Sequence, residues 1–188
     1  MSDAFRVSVR RNGSNVPLIL DTVTPAAERS PSSKLLCEKH CFQHLDIPEH
    51  EHEHFCLHLQ LSGTPRLNWW WNGKHGSEQP KPGSLILLPS GTKDSLCWDG
   101  ISERYLISLD ADYVKTVVDA AGSRNPEFYT RWQFRDTSLE QLLREIGRES
   151  STGWLLGELY ADVLSLNLAL ALLQRQTVRQ INLPLAGC

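Results

Sequence analysis

A change of period at Leu109 constrains this chain more than any other feature. From Phe5 to Leu109 the sequence reads as short runs of alternating or β-branched character, at Phe5 to Arg10, Pro17 to Leu20, Lys34 to Leu45, His54 to Leu61, Arg66 to Trp71, Ser84 to Leu88, Lys93 to Trp98 and Arg104 to Leu109. Turn-forming stretches separate them: Asn12-Gly13-Ser14-Asn15, Ser30-Pro31-Ser32-Ser33, Asn72-Gly73, Pro80 with Pro82-Gly83, and Asp99-Gly100. Short strands with no long helix between them predict an antiparallel β-barrel of the jelly-roll kind.

Beyond Leu109 the apolar spacing becomes that of helices, and three are predicted. Asp110 caps the first, which carries Tyr113, Val114, Val117 and Val118 and stops at Gly122. The second starts near Asp136 or Ser138 and presents Leu139, Leu142, Leu143 and Ile146 before Gly147. The third runs from about Trp154 to Arg175, and apolar residues encircle it. A helix apolar all round must be covered on more than one side. Two shorter helices cannot do this alone, so one face, with Leu155, Leu159, Val163, Leu166, Leu170 and Leu173, is expected to pair with its copy in a homodimer. This divides the chain into a barrel with an amino-terminal arm (1–109), a helical dimerisation region (110–179) and a linker stub (180–188).

Composition narrows the function classes. The 188 residues, 40% hydrophobic and 22% charged, suffice for one compact core. The formal net charge of -3 argues against a broad basic face for phosphate backbones. Met1 to Arg11 carries charges in place of a signal peptide, and no stretch of about 18 apolar residues follows, so a cytoplasmic protein with no membrane partner is expected. The five cysteines have no disulfide-framework spacing and read as reduced thiols.

Two segments carry the candidate chemistry. Gly83 to Gly91 has the form G-x5-P-x-G, a strand entered and left by tight turns. Upstream, strand parity puts His50, His52, Cys56, His58 and Gln60 on one face and Phe55, Leu57, Leu59 and Leu61 on the other. In Trp69-Trp70-Trp71 the outer two share a side, and Trp98 shares parity with Asp94. A pocket lined by His50, His52, Cys56, His58, Trp69, Trp71, Asp94 and Trp98 would combine aromatic faces with a few polar groups, as small-molecule sites do. The chain has no Gly-rich phosphate loop and no G-x-S-x-G elbow, and its His50-Glu51-His52-Glu53-His54 run, although it has the letters of H-E-x-x-H, precedes a strand where that zinc motif needs a helix, so a binding module and not an enzyme is expected.

The His50 to Gly63 and Gly83 to Asp94 segments together resemble the two signature motifs of the cupin barrel. His50 and His52 match the motif's histidines and Gly63 its closing glycine. Cys56 falls where the acid belongs, and Asp94 where the last histidine belongs. The resemblance therefore implies a ligand set of His50, His52, Cys56 and Asp94, which suits Zn(II), Fe(II) or Ni(II), with half of the usual ligands replaced.

Taken with Leu61-Ser62-Gly63, Trp71-Asn72-Gly73, Cys97-Trp98-Asp99-Gly100, Phe134-Arg135-Asp136 and Leu159 to Leu164, the whole chain looks like the amino-terminal half of AraC-type bacterial transcription regulators. That resemblance implies a barrel that binds a small-molecule effector with no required cofactor, and an arm, Met1 to about Pro31, that can fold over the pocket. It further implies helices that dimerise, and DNA contact only through a helix-turn-helix half expected beyond Cys188. A metal-dependent cupin enzyme, and a dimerisation scaffold with a vestigial pocket, are the alternatives.

Overall fold

A computed structural model of the chain describes residues 6–19, 30–123 and 126–181. Two tight hairpins fall at the Asn-Gly pairs. β1 (Ser8–Arg11) turns at Asn12-Gly13 into β2 (Ser14–Pro17), and β5 (Arg66–Trp71) turns at Asn72-Gly73 into β6 (Lys74–Glu78). All four turn residues have positive φ, the backbone that matches the twist of two-residue hairpins. Between them lie β3 (Leu35–Glu51) and β4 (Phe55–Ser62), followed by β7 (Leu85–Leu88) and β8 (Lys93–Leu109).

β8 organises the sheet. It pairs antiparallel with β3 along most of its length, with β4 through its second half and with β5 through its first. A seventeen-residue strand shared in this way bends the sheet around itself, and its inward side chains meet in one cluster. That cluster holds Phe42, Ile47, Cys56, Leu67, Ile86, Leu88, Leu96, Trp98 and Leu106. Val7, Val9, Leu18 and Ile19 of the β1–β2 region join it, so this hairpin packs against the barrel. Met1 to Phe5 and residues 20–29 of the expected arm lie outside the described residues.

The helices cover the opposite face of the same strands. α1 (Ala111–Ala120), β9 (Arg131–Phe134), α2 (Thr137–Ser151) and α3 (Gly157–Ile181) complete the chain. Leu57 and Leu59 of β4 and Ile107 and Leu109 of β8 pack with Val114, Leu139, Leu143, Ile146, Leu164, Leu168 and Leu172 in a second core. The period-2 alternation read from β4 thus separates two environments, barrel interior and helical layer. The expected mainly-β barrel followed by helices is what the chain forms.

Several boundaries differ from expectation, each for a local reason. Lys93 to Trp98 and Arg104 to Leu109 are one strand, because Gly100 takes φ +102 inside it and bends it without ending it. β6 and β9 were not anticipated; β9 is held at the edge of β7 through Leu85 and Phe134. Gly147 does not end the second helix. A Cβ there would sit 2.2 Å from the Tyr105 ring, so the glycine permits α2 to lie against β8. α3 starts at Gly157, three residues later than expected, since Trp154 adopts φ +58 and buries its ring in the helical core. Gln180 and Ile181 of the expected linker are still helical, and 182–188 lie outside the described residues.

Asp136 fastens two helices together. One carboxylate oxygen accepts from Leu139 N at 2.9 Å as the cap of α2, and both oxygens receive Arg175 of α3 at 2.5 and 2.6 Å. The Arg175 hydrogen bond, helped by the cap, holds the Asp136 carboxyl below its usual range. Asp136→Ala is expected to cost about 2–3 kcal/mol at pH 7, the sum of a cap and a charge-assisted pair. A depressed carboxyl stabilises the fold above its unfolded pKa and loses that contribution as pH falls through the folded one. Urea titrations should therefore show the gap between wild type and variant closing below about pH 4.

Candidate functional site

The barrel interior is unusually polar, and two groups of side chains define it. The first lies where β3 meets β8. A register shift between Ile47 and His50 re-aims the strand, so that His50 comes opposite Asp94 while Trp71 of β5 flanks Asp94 on the other side. His52 follows on the same face and is fixed by its backbone: its N–H donates to Thr92 O at 2.9 Å, and its carbonyl accepts from Gly91 N at 2.8 Å. The glycine-proline segment predicted as a tight-turned strand thus positions a histidine.

His50, His52 and Asp94 are all buried, with ligand atoms within 4.8 Å of one another. The two imidazole Nε2 atoms stand 3.1 Å apart, and Asp94 lies 3.2 Å from His52 and 3.9 Å from His50. The Nδ1 of His50 donates to Pro48 O at 2.9 Å, which leaves Nε2 as the lone pair. Burial pushes the His50 pKa down to about 4 against the attraction of Asp94, so the ring is neutral at pH 7. Neither oxygen of Asp94 has a hydrogen-bond partner among the described residues. A buried carboxylate without one costs several kcal/mol, and a cation shared with the two imidazoles would relieve it. The donor set fits a divalent metal of the borderline class.

The ligand set implied by resemblance is corrected in one member. Cys56 does not belong to the His50–His52–Asp94 group; its sulfur faces His58 Nε2 at 3.6 Å, and burial drives its thiol pKa well up. Parity alone put Cys56 on the right face, but position along the strand carries it deeper into the barrel.

The second group surrounds Arg104, which is 1% exposed. Its guanidinium donates to Gln60 Oε1 at 2.6 Å, to Ser102 Oγ at 2.9 and 3.1 Å and to His58 Nδ1 at 3.3 Å. It also stacks 3.2 Å from the Trp98 ring centroid. Beside it Glu38 accepts from Val7 N at 2.8 Å and pairs with His40 at 2.7 Å. Desolvation lowers the pKa of both Arg104 and His58 well below their ordinary values. The sequence reading missed Arg104, Glu38 and His40. Treating β8 as one strand would have found Arg104, since it shares the even parity of Asp94 and Trp98.

The tryptophans divide. Trp98 is buried in the Arg104 group; Trp69 stacks on Trp132 of β9, with ring centroids 4.8 Å apart. Trp71 lines a cavity of about 430 Å³ with Pro89, Ser90, Gly91, Thr92, Phe128, Tyr129 and Thr130. Because Gly91 and Thr92 also hold the His52 backbone, this cavity adjoins the His50–His52–Asp94 group. A second cavity, of about 400 Å³, opens between the β1–β2 hairpin and the barrel at Arg6, Leu36, His54 and Ser108.

No family model matches the chain, and no curated protein does. Among solved structures it is similar to a cupin superfamily protein from Desulfitobacterium hafniense, with 16% identity and a TM-score of 0.40 over 50% of this chain and 91% of that one. A cupin domain from Bordetella pertussis is similar at 14% identity and TM-score 0.39, covering 47% and 94%. An oxalate decarboxylase from Bacillus subtilis is similar at 16% and 0.36, covering 56% of this chain and 34% of its own.

Proposed function

We propose that this chain is the ligand-sensing and dimerisation unit of an AraC-type transcription regulator, acting on DNA through a helix-turn-helix partner domain. The observation that carries this reading is the outer face of α3. Ala161, Leu164, Leu168 and Leu172 are buried on the barrel side, while Leu159, Val163 and Leu166 stand 80%, 43% and 41% exposed. A two-fold interface sets a patch against itself, so an uncharged apolar stripe is self-complementary where a charged one would repel. Two members of the expected stripe are corrected. Leu173 is buried in the chain's own core and Leu170 is partly buried there, so neither is free for a partner. Leu155 is exposed but lies in the turn before α3, where Leu156 extends the patch.

The barrel supplies the sensing end. A small effector fits the Trp71 cavity, whose volume is in the range of ligand sites. The helices rest on the outer faces of the strands, β3 and β8, whose inner faces carry His50 and Asp94, so a ligand that favours one strand arrangement biases the helices. Thermal-shift screening against a metabolite panel tests this. An effector at a hundredfold excess over its dissociation constant is expected to add roughly 2.7 kcal/mol, and the gain is expected to fall in Trp71→Ala. Stabilisation by no compound supports a vestigial pocket instead.

A metal-dependent cupin enzyme is the second reading, favoured by the orphaned Asp94 carboxylate beside the imidazoles of His50 and His52. His50, His52 and Asp94 would hold the metal, which would polarise an oxygen of a bound ligand. Metal analysis of untagged protein, followed by turnover assays, separates a metal-bearing sensor from an enzyme.

The dimer carries its own prediction. Leu159→Glu places a charge in the centre of the stripe and is expected to weaken association at least about tenfold, at roughly 1.4 kcal/mol per decade. Light scattering over a dilution series reads the change.

A further inference from the structure

A second group of metal-ligating side chains lies outside the barrel, on the outer face of β3 and β8 beyond the end of it that the helices cover. The register shift between Phe42 and His44 sets His44 opposite Asp99, and two residues on Asp46 comes opposite Cys97. On its other side Cys97 faces Asn68 of β5. The imidazole of His44, the carboxylate of Asp46 and the thiol of Cys97 therefore stand on neighbouring, ladder-fixed strands, with ligand atoms all within 4.8 Å. His44 Nε2 lies 3.0 Å from Asp46 Oδ2, while its Nδ1 turns to the Asp99 carboxylate at 3.8 Å.

We propose that His44, Asp46 and Cys97 form a surface site for Zn²⁺ or a similar borderline divalent cation, with Asp99 orienting the His44 ring. The donor chemistry supports this beyond mere proximity. One thiolate, one imidazole and one carboxylate form a recurrent zinc ligand set, whereas an acidic cluster alone would favour harder ions. A carboxylate on the non-ligating ring nitrogen is the usual support for a metal-bound histidine. His44 and Asp46 are 58% and 67% exposed at the side chain, so water completes the coordination and the ion enters freely. Without metal the thiol stays protonated: its hydrogen bond to Asp46 raises the Cys97 pKa to about 11, so each ion bound releases the proton of the thiol. The site differs from the buried group, which lies on the other face of β3 and β8 and contains no sulfur.

Cobalt titration of the full chain tests the proposal, because thiolate coordination gives a near-ultraviolet charge-transfer band that oxygen and nitrogen ligands do not. The band is expected in wild type and in His52→Ala, absent in Cys97→Ser, and shifted to at least about tenfold higher metal in His44→Ala. Zn²⁺ is expected to protect Cys97, but not the exposed Cys41, from alkylation. No band at large metal excess, a band that survives in Cys97→Ser, or one that vanishes in His52→Ala would each overturn the assignment. His44 is exposed, and Cys97, which is half-buried, is replaced by the near-isosteric serine, so the fold itself is not at stake.

Discussion

Gly63→Ala is expected to remove about 3 kcal/mol or more of stability, a large share of the 5–15 kcal/mol typical of a domain. Gly63 ends β4 with φ +81, a conformation that costs an L-residue about 1–2 kcal/mol. An added Cβ would also lie 2.0 Å from the carbonyl oxygen of Ile101 and 2.9 Å from its carbon. Those are backbone atoms of β8, the strand that three others share, so relief requires moving the sheet; overpacking of this kind adds about 1–3 kcal/mol. Gly73→Ala provides the internal comparison. Gly73 has a similar φ of +71 but nothing within 4 Å of its added Cβ, and about 1–2 kcal/mol is expected. Urea denaturation of the two variants reads the difference directly. Equal losses would mean that β8 yields at Ile101 and that its position does not anchor the barrel.

The second large effect concerns the buried cluster. In a Cys97→Ser background, which removes the thiol of the surface site, Zn²⁺ at a hundredfold excess over its dissociation constant is expected to stabilise the protein by roughly 2.7 kcal/mol. For a chain of this length that is a rise in Tm of about 5–10 °C. The rise is expected to vanish in His52→Ala, each variant being compared with its own metal-free form, because one of three ligands is gone. Cys56→Ser is expected to keep the rise, since the Cys56 sulfur points to His58 and not into the cluster. Loss in Cys56→Ser would restore the four-residue set implied by resemblance, and retention in His52→Ala would refute both sets.

Much of this was legible in the residues. Period-2 alternation put His50, His52, His58 and Gln60 on one face and Leu57 and Leu59 on the other, because in a strand parity is geometry, and the structure turns the second face to the helices. The two Asn-Gly pairs marked both hairpins for the same kind of reason. Asp94 was found through its spacing from Gly91 and now stands against both histidines. What escaped depends on contacts distant in sequence. Gly147 reads as a helix stop until Tyr105 is seen against it, and Gly100 reads as a turn until β3 and β5 are seen pairing on either side of β8. The surface cluster needed the bulge after Phe42, which no local pattern announces. The surplus of leucine around α3 was readable, but which leucines face outward was not. The barrel takes Leu164, Leu168 and Leu172 and leaves Leu159, Val163 and Leu166.

Those last three residues bear on the central reading, that one end of the molecule senses and the other pairs. Among the described residues no helix is long and apolar enough to cross a membrane. Sedimentation equilibrium of the wild-type chain over a wide concentration range tests the reading most directly. The account predicts twice the mass of one chain, with the monomer appearing on dilution or in Leu159→Glu. A single-chain mass at every concentration would contradict it.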